Sequence, residues 1–280
     1  MIQINRYKTE LDAGNAYWMA RLSQLVYTKK KSGAPDEKKI LAELKLEDPG
    51  FISIKGASKK SAQGMLVEHQ LYFALVFRGT DEGADWVDNI SIGKKEDSFG
   101  EFHGGFLDSV DDIWGPLWSR YEELRKESTD QVKTKTSQSQ RPLFITGHSL
   151  GGAMATVAAA KLLEMDKPFI SVYTFGQPRA VARDTRVAYD TMAKNRFFRF
   201  QNNSDIVTRV PARASGYSHV GQCIYISEER ELHRDPGFWF RFLDAIDGAV
   251  ESAKKLKLDI IIDHNMENYL AGIKTWNLQD

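Results

Sequence analysis

Apolar and polar positions alternate with two different periods along the chain. Residues 11–27 and 105–127 carry apolar side chains at helical spacing, so each segment is predicted to form an amphipathic helix. Residues 71–77, Leu-Tyr-Phe-Ala-Leu-Val-Phe, are apolar at every position, which is typical of a strand buried on both faces of a sheet. The polar stretch 128–140 has no such period, and it is predicted to be a surface loop.

Strand and helix patterns then alternate through the second half of the chain. Strands are predicted at residues 143–146, 170–175, 197–201 and 223–226, and helices at 150–164, 183–194 and 236–256. This alternation indicates an α/β fold with a mostly parallel central sheet flanked by helices. Neither side of the polar stretch holds enough strands for a complete sheet, so residues 1–280 are predicted to form a single domain.

Composition narrows the choice of partners and of compartment. Lys and Arg number 38, as do Asp and Glu, so the net charge is zero, which argues against nucleic acid as a partner. No apolar run reaches the ~18 residues that cross a bilayer, so no transmembrane segment is expected. Residues 1–27 show no secretory signal, which favours a cytoplasmic location and leaves export by a signal-independent route open. Cys223 is the only cysteine, and neither a metal-ligand cluster nor a nucleotide-binding glycine loop is present, so no metal or cofactor is predicted.

The most informative segment is Gly-His-Ser-Leu-Gly at residues 147–151, which follows an apolar strand and opens a helix of small residues. This G-x-S-x-G spacing is typical of hydrolases whose serine sits on a sharp turn between a strand and a helix. Glycine on both sides removes Cβ atoms that would collide with neighbouring elements. Ser149 is therefore the candidate nucleophile, and the backbone amide of Leu150 is predicted to face the negative charge that develops on the substrate.

A serine hydroxyl becomes a strong nucleophile only when a base removes its proton and an acid orients that base. In folds that carry the nucleophile on such a turn, the chain order is serine, then Asp or Glu, then His. His148 adjoins the serine and cannot fold back to act as its base. His219, His233 and His264 follow it with room for an acid between, so chain order alone leaves three candidates.

Two aspartates are candidates for the acid. Asp205 follows the predicted strand 197–201, and catalytic loops of open α/β sheets lie at such strand ends. Asp184 is its rival, but that residue is better suited to cap the helix over 186–194. Asp205 is therefore the predicted acid.

Further motifs agree in order and spacing with a known family. They are Leu-Val-Phe-Arg-Gly-Thr at 75–80, Asp85-Trp86 with Asp88, His-Gly-Gly-Phe at 103–106, Phe-Gly-Gln-Pro-Arg at 175–179, and Asn-Ser-Asp-Ile-Val at 203–207 with Arg209 and Pro211. Over about residues 65–275 the chain resembles the class 3 lipases, the fungal-type triacylglycerol lipases of the α/β-hydrolase superfamily. The resemblance implies the α/β-hydrolase fold and gives Asp205 the role of acid and His264 the role of base. It also implies an oxyanion hole formed by the backbone amides of Thr80 and Leu150.

The activity that the resemblance implies is that of a serine carboxylic-ester hydrolase, acting on lipid esters through a Ser-His-Asp triad and an acyl-enzyme. Residues 81–90 take the place of the family's lid, and Trp86 within them is expected to contact substrate, as is His148. A phospholipase A1, a monoacylglycerol lipase and a feruloyl-type esterase are alternatives on the same scaffold, and a non-catalytic binding protein is a more remote one. The expected partners are a lipid or other ester substrate and, transiently, a lipid interface. With zero net charge, that contact would have to come from aromatic side chains. The predicted helix 236–256 is interpreted as a core helix, and Phe238 and Phe240, which fall outside its apolar stripe, make an interfacial patch the alternative.

Overall fold

A computed structural model describes residues 2–80, 93–134, 140–237 and 263–279. The segment predicted to replace the lid, with Trp86, lies outside the described residues. So does all but the beginning of the predicted helix 236–256. The following description concerns the four described ranges.

Six α-helices lie in these ranges: α1 (Ala13–Leu25), α2 (Glu37–Glu47), α3 (Gly104–Thr134), α4 (Leu150–Glu164), α5 (Arg183–Ala193) and α6 (Met266–Thr275). Three of them begin at a side-chain cap. Asp12, Asp36 and Asn265 each accept a hydrogen bond from a backbone N–H of the first turn of α1, α2 and α6, respectively. Such caps satisfy amides that have no acceptor within the helix.

The predicted loop over residues 128–140 is wrong at its beginning, because α3 continues to Thr134. The stretch lacks an apolar stripe, but it also lacks Gly and Pro over residues 128–134. A helix that is already formed extends at little cost through polar residues of moderate helix propensity. The missing period was therefore no evidence of a helix end.

Thirteen strands are described, and nine of them form one sheet. They are β1 (Phe51–Lys59), β2 (Ala62–His69), β3 (Phe73–Phe77), β4 (Lys94–Asp97), β5 (Gly100–His103), β6 (Leu143–His148), β7 (Val172–Phe175), β8 (Val181–Ala182), β9 (Phe197–Asn202), β10 (Tyr217–Ser218), β11 (Gln222–Ile226), β12 (Glu231–Arg234) and β13 (Asn277–Gln279). The large sheet has the order β1-β2-β3-β6-β7-β9-β11-β12-β13 among the described residues, and its centre, from β3 to β11, is parallel. The predicted mostly parallel sheet is thus confirmed, with antiparallel strands at its edges.

Both faces of the large sheet are buried. One face packs against α3, α4 and α5 in a cluster that includes Leu75, Val110 and Val157. The other face packs against α1, α2 and α6, with Met19 and Phe200 among its buried side chains. Because helices cover both faces, β3, β6, β7 and β9 are buried at every position, as the apolar run predicted for β3. The polar side chains that remain buried are concentrated where the parallel strands end.

Candidate active site

The turn between β6 and α4 carries Ser149 in a strained backbone conformation. Its φ is 59° and its ψ is −130°, outside the regions that a residue with a Cβ ordinarily adopts, at a cost of about 1–3 kcal/mol. The flanking glycines are required by close packing. A Cβ on Gly147 would lie 2.2 Å from the carbonyl oxygen of Gly151, and a Cβ on Gly151 would lie 2.1 Å from that of Phe77. The sequence argument for these two glycines is therefore confirmed.

Thr80 follows β3 and lies beside this turn. Phe77 of β3 pairs with Gly147 of β6, and a Cβ on Gly79 would lie 2.8 Å from the Cβ of Ser149. The hydroxyl oxygen of Thr80 is buried and has no hydrogen-bond partner among the described residues. The amide of Leu150 belongs to the first turn of α4, where backbone N–H groups have no acceptor within the helix. Two polar groups beside the serine are thus available to an oxyanion.

The acid and the base are joined by a hydrogen bond. Nδ1 of His264 lies 2.9 Å from Oδ2 of Asp205, whose side chain is 0% exposed. The same Oδ2 accepts a hydrogen bond of 2.5 Å from the hydroxyl of Tyr269, and Oδ1 accepts one of 2.9 Å from the backbone N–H of Val207. Three donors therefore surround one buried carboxylate.

These donors decide the charge of Asp205. Burial alone raises the pKa of this carboxyl, but the His264 imidazole and the hydrogen bonds from His264 and Tyr269 outweigh it and hold the pKa below its ordinary value. Asp205 is therefore ionised at neutral pH. An ionised acceptor on Nδ1 fixes the proton there and leaves Nε2 of His264 as the basic nitrogen.

Main-chain hydrogen bonds bring the serine and the histidine to the same edge of the sheet. The N–H of Ser149 donates to the carbonyl of Phe175 at 2.9 Å, and Gly176 follows directly. A Cβ on Gly176 would lie 2.8 Å from both Nδ1 of His264 and Oδ2 of Asp205. Nε2 of His264 is buried and has no hydrogen-bond partner among the described residues. The basic nitrogen is therefore not engaged by another described group.

His148 lies between the base and the N-terminal part of the chain. Its Nδ1 is 2.8 Å from the hydroxyl of Tyr27, and its Nε2 is 2.7 Å from the main-chain carbonyl oxygen of His264. Burial, with a smaller contribution from the charge of His264, lowers the pKa of His148 to about 3, so the ring is neutral. Both ring nitrogens are occupied by protein groups, which leaves neither for the substrate contact predicted from the sequence.

The rival base candidates lie elsewhere. Nε2 of His219 donates to the carbonyl of Thr208 at 2.8 Å, and the Thr208 hydroxyl in turn donates to the carbonyl of Asp205. His219 therefore stabilises the loop that carries Asp205, through Thr208. His233 is on β12, with its Nε2 3.9 Å from a carboxylate oxygen of Glu231.

The rival acid, Asp184, is exposed in the first turn of α5. The prediction that it caps this helix is wrong, because α5 begins at Arg183 and Ala182 occupies the cap position. A carboxylate in the first turn still interacts favourably with the helix dipole. Asp184 thus belongs to the first turn of α5 and not to the loop that carries Asp205.

Two tyrosines of the site were not identified from the sequence. Tyr269 is on α6, five residues after His264, and Tyr27 follows the end of α1. Neither belongs to a sequence motif. The general tendency of a buried tyrosine hydroxyl to find a partner was the one available signal, and it does not name the partner.

A family model described as Lipase (class 3) matches residues 74–215, just over half of the chain. The chain is 33% identical over 149 residues to secreted mono- and diacylglycerol lipase 1 of Fusarium solani, covering 51% of this chain and 40% of that protein. It is 30% identical over 154 residues to secreted mono- and diacylglycerol lipase A of Penicillium camembertii, with 55% and 47% covered. It is 27% identical over 191 residues to phospholipase A1-II 1 of Oryza sativa subsp. japonica, with 61% and 46% covered. The chain therefore spans less than half the length of these relatives.

The fold is also found among solved structures. The triacylglyceride lipase of Rhizomucor miehei aligns with a TM-score of 0.61 and 24% identity, covering 77% of this chain and 80% of that one. At this identity the likeness concerns the fold alone, and the predicted α/β-hydrolase fold is confirmed.

The cytoplasmic location predicted from the sequence is wrong by comparison with these relatives. The proteins from Fusarium solani and Penicillium camembertii have names that describe secreted enzymes.

Within the described ranges, no helix has the length and apolar character needed to cross a membrane. In the same ranges, no group of three or more His, Cys, Asp or Glu side chains is placed to hold a metal ion.

Proposed function

Because the chain belongs to the class 3 lipase family, we propose that it hydrolyses carboxylic esters of lipids through an acyl-enzyme formed on Ser149. His264 is the base and Asp205 is the acid that orients it. The observation that carries this proposal is the 2.9 Å contact between His264 and the buried Asp205, beside a serine held in a strained turn. Residues 1–280 act as one catalytic domain in this proposal.

The reaction has two halves. Oγ of Ser149 attacks the ester carbonyl carbon while Nε2 of His264 accepts the hydroxyl proton. The tetrahedral intermediate collapses, the bond to the alcohol oxygen breaks, and His264 returns the proton to the leaving alcohol. Water then attacks the acyl-enzyme by the same route and releases the carboxylic acid. Asp205 stays ionised throughout and stabilises the imidazolium.

The oxyanion hole is proposed to consist of the backbone amides of Thr80 and Leu150. Support comes from the position of Thr80 beside the serine turn and from the amide of Leu150, the first residue of α4, which has no acceptor within the helix. Donors fixed before reaction stabilise the developing charge without reorganisation, and one such donor is worth about 10²–10³ in rate.

The activity is tested with Ser149→Ala. We expect hydrolysis of a p-nitrophenyl ester to fall by at least about 10⁴-fold, because no other hydroxyl is activated by His264. Covalent labelling by a fluorophosphonate, which requires a reactive serine, should disappear in the same variant. The matched control is Ser109→Ala, since the hydroxyl of Ser109 donates only to a carbonyl within α3. Undiminished hydrolysis by the Ser149 variant would overturn the proposal.

The substrate class is proposed from the relatives. Mono- and diacylglycerol lipases appear among them, and so does a phospholipase A1, which makes phospholipid the second candidate substrate. Release of fatty acid from monoacylglycerol, diacylglycerol, triacylglycerol and phosphatidylcholine, measured side by side, distinguishes the two. Hydrolysis of the sn-1 ester of phosphatidylcholine faster than of any acylglycerol would establish the second. Contact with a lipid interface is proposed to be transient and apolar, since the net charge is zero.

A further inference from the structure

A chain of hydrogen bonds reaches the base from the N-terminal part of the molecule. The hydroxyl of Tyr27 is 2.8 Å from Nδ1 of His148, and Nε2 of His148 is 2.7 Å from the main-chain oxygen of His264. Neither Tyr27 nor His264 lies within residues 74–215, which the family model matches. The mechanism proposed above uses neither Tyr27 nor His148.

The direction of both hydrogen bonds follows from the chemistry of the groups. A carbonyl oxygen only accepts, so Nε2 of His148 must carry the hydrogen. The ring is neutral, because its pKa is about 3, and therefore Nδ1 has no hydrogen and accepts from the Tyr27 hydroxyl. Without that hydroxyl, Nδ1 loses its donor and the ring keeps only the hydrogen bond at Nε2 of these two. The tautomer with hydrogen on Nδ1 stays excluded by the His264 carbonyl. In that tautomer a nitrogen lone pair faces the His264 carbonyl, which is repulsive.

The carbonyl of His264 is the group through which His148 contacts the backbone of the base. It belongs to the peptide unit that joins the base to Asn265, the cap of α6. A side-chain bond to Asp205 fixes the ring at one end. The backbone from which the ring projects is held by His148, and one peptide earlier by Asn202, whose side-chain amide donates to the carbonyl of Asp263. Since His148 is 6% exposed, water is not placed to replace a lost donor.

Tyr27 also contacts the serine side of the site. A Cβ on Gly79 would lie 2.6 Å from the Tyr27 hydroxyl oxygen and 2.8 Å from the main-chain oxygen of His148. The tyrosine therefore lies against the end of the strand that leads to Thr80, as well as against the histidine.

We propose that Tyr27 and His148 are positioning residues for the base, an inference that rests on the proposed function. The His264 carbonyl selects the tautomer of His148, the Tyr27 hydroxyl anchors the ring through Nδ1, and the anchored Nε2–H holds the main-chain carbonyl of His264. The N-terminal part of the chain thereby controls the geometry of a histidine near the other end.

The first test compares two tyrosine variants. Tyr27→Phe removes the hydroxyl that anchors the His148 ring, and we expect kcat to fall about 5-fold with KM changed less than 2-fold. Tyr17→Phe is the matched control, because its hydroxyl, on α1, binds Glu47 and not the site. Rates are expressed per serine titrated with a fluorophosphonate, so that a loss of folded protein does not count. Equal kcat values in the two variants would overturn the inference while leaving the proposed function intact.

The second test replaces His148. His148→Leu removes the donor, and we expect kcat to fall about 100-fold, as misplaced catalytic groups do. The amide N–H of Gln reaches as far as Nε2, so His148→Gln should recover at least about 10-fold of that loss. A side chain needed only to fill space would show no such recovery, and Leu and Gln variants of equal kcat would contradict the inference.

A third measurement does not depend on activity. Nitrogen NMR of the His148 ring should show hydrogen on Nε2 in the wild-type protein, and the Nδ1 signal should shift in Tyr27→Phe because that nitrogen loses its hydrogen-bond donor. Hydrogen on Nδ1 in the wild-type protein would overturn the inference. A wild-type protein that neither hydrolyses esters nor reacts with the fluorophosphonate would instead overturn the proposed function, and this inference with it.

Discussion

The carboxylate of Asp205 accepts hydrogen bonds from His264, Tyr269 and Val207 while being fully buried. A buried charge without such partners costs several kcal/mol, so each donor contributes to the stability of the folded chain as well as to the charge of the acid. Tyr269 also accepts a hydrogen bond of 3.1 Å from the N–H of Asn202, the last residue of β9. One hydroxyl thus joins α6, β9 and the acid loop.

Tyr269→Phe removes this hydroxyl and leaves a buried carboxylate and a buried N–H each short of a partner. We expect the free energy of unfolding to fall by about 2 kcal/mol, the usual value for a hydrogen bond to a charged group, and ester hydrolysis to slow. Urea denaturation and kcat measure the two effects. The control is Tyr189→Phe, which removes a 3.1 Å bond to the neutral carbonyl of Thr156 and should cost about 1 kcal/mol without changing kcat. Equal losses of stability and of rate in both variants would contradict the role given to Tyr269.

At this scale the sequence predicts the site in part. The spacing around Ser149 reflects a local steric requirement, so the motif identifies the residue directly. The acid and base follow from chain order and a family resemblance, and the structure brings His264, rather than His219, to Asp205. Tyr269 could not be predicted, because the partner of its hydroxyl depends on how α6 packs against β9.

The element that shapes the nucleophile is α4, whose first turn packs closely against β3 and β6. Its buried face is built from alanine and glycine, and residues 151–160 are buried without exception. Small side chains let the helix backbone approach the sheet, which places the start of the helix and the amide of Leu150 beside the serine. The packing of the whole helix and the geometry of the oxyanion hole are therefore linked.

Gly151→Ala tests this link. Its Cβ would lie 2.1 Å from a carbonyl oxygen of β3, and neither backbone can move without breaking sheet hydrogen bonds. We expect a loss of at least about 3 kcal/mol in the free energy of unfolding, or no folded protein, in chemical denaturation. Gly115→Ala in α3 is the control, since a Cβ there meets nothing within 4 Å. Its gain in helix propensity, about 1 kcal/mol, is partly offset by the restriction from Pro116. A destabilisation of similar size at both positions would contradict the close-packing argument.

A long element with many apolar positions was predictable from its period, whereas α2, with only Ile40 and Leu44 buried, was not predicted. The helix over 150–164 was predicted with the bounds that the structure shows. The small antiparallel sheet of β10, β8, β5 and β4 was missed, because strands of two to four residues are too short to show a period. β4 and β5 form a local hairpin, but the pairing of β8 with β5 and with β10 joins distant segments and leaves no local pattern.

On the scale of the whole molecule, His148 couples the site to global stability. Its pKa is about 3 in the folded protein, because of burial and then the charge of His264, against about 6.5 in an unfolded chain. Below pH 6.5 the unfolded chain therefore binds a proton that the folded protein does not. Stability is fully present above that pH and falls as the pH decreases toward 3.

Between pH 7 and pH 5 this group alone should lower the free energy of unfolding by about 2 kcal/mol. Urea denaturation of the wild-type protein at the two pH values measures the total change. His148→Gln, which has no titrating group at this position, should show a pH-dependent loss about 2 kcal/mol smaller. All other groups titrate alike in the two proteins, so an identical loss in both would show that His148 is not buried in the neutral form.

The packing of α1 against α6 has a consequence for how the molecule folds. The two helices are separated by more than 200 residues in sequence, yet they share one apolar cluster on the same face of the sheet. Closing a loop of that length costs chain entropy before any contact across it is gained, and contacts of this kind slow folding. The turn that carries the serine needs only β6, α4 and their neighbours. The position of the histidine, by contrast, depends on the interface between α1 and α6, at the two ends of the described fold. A catalytically competent site therefore requires that these two ends have packed together.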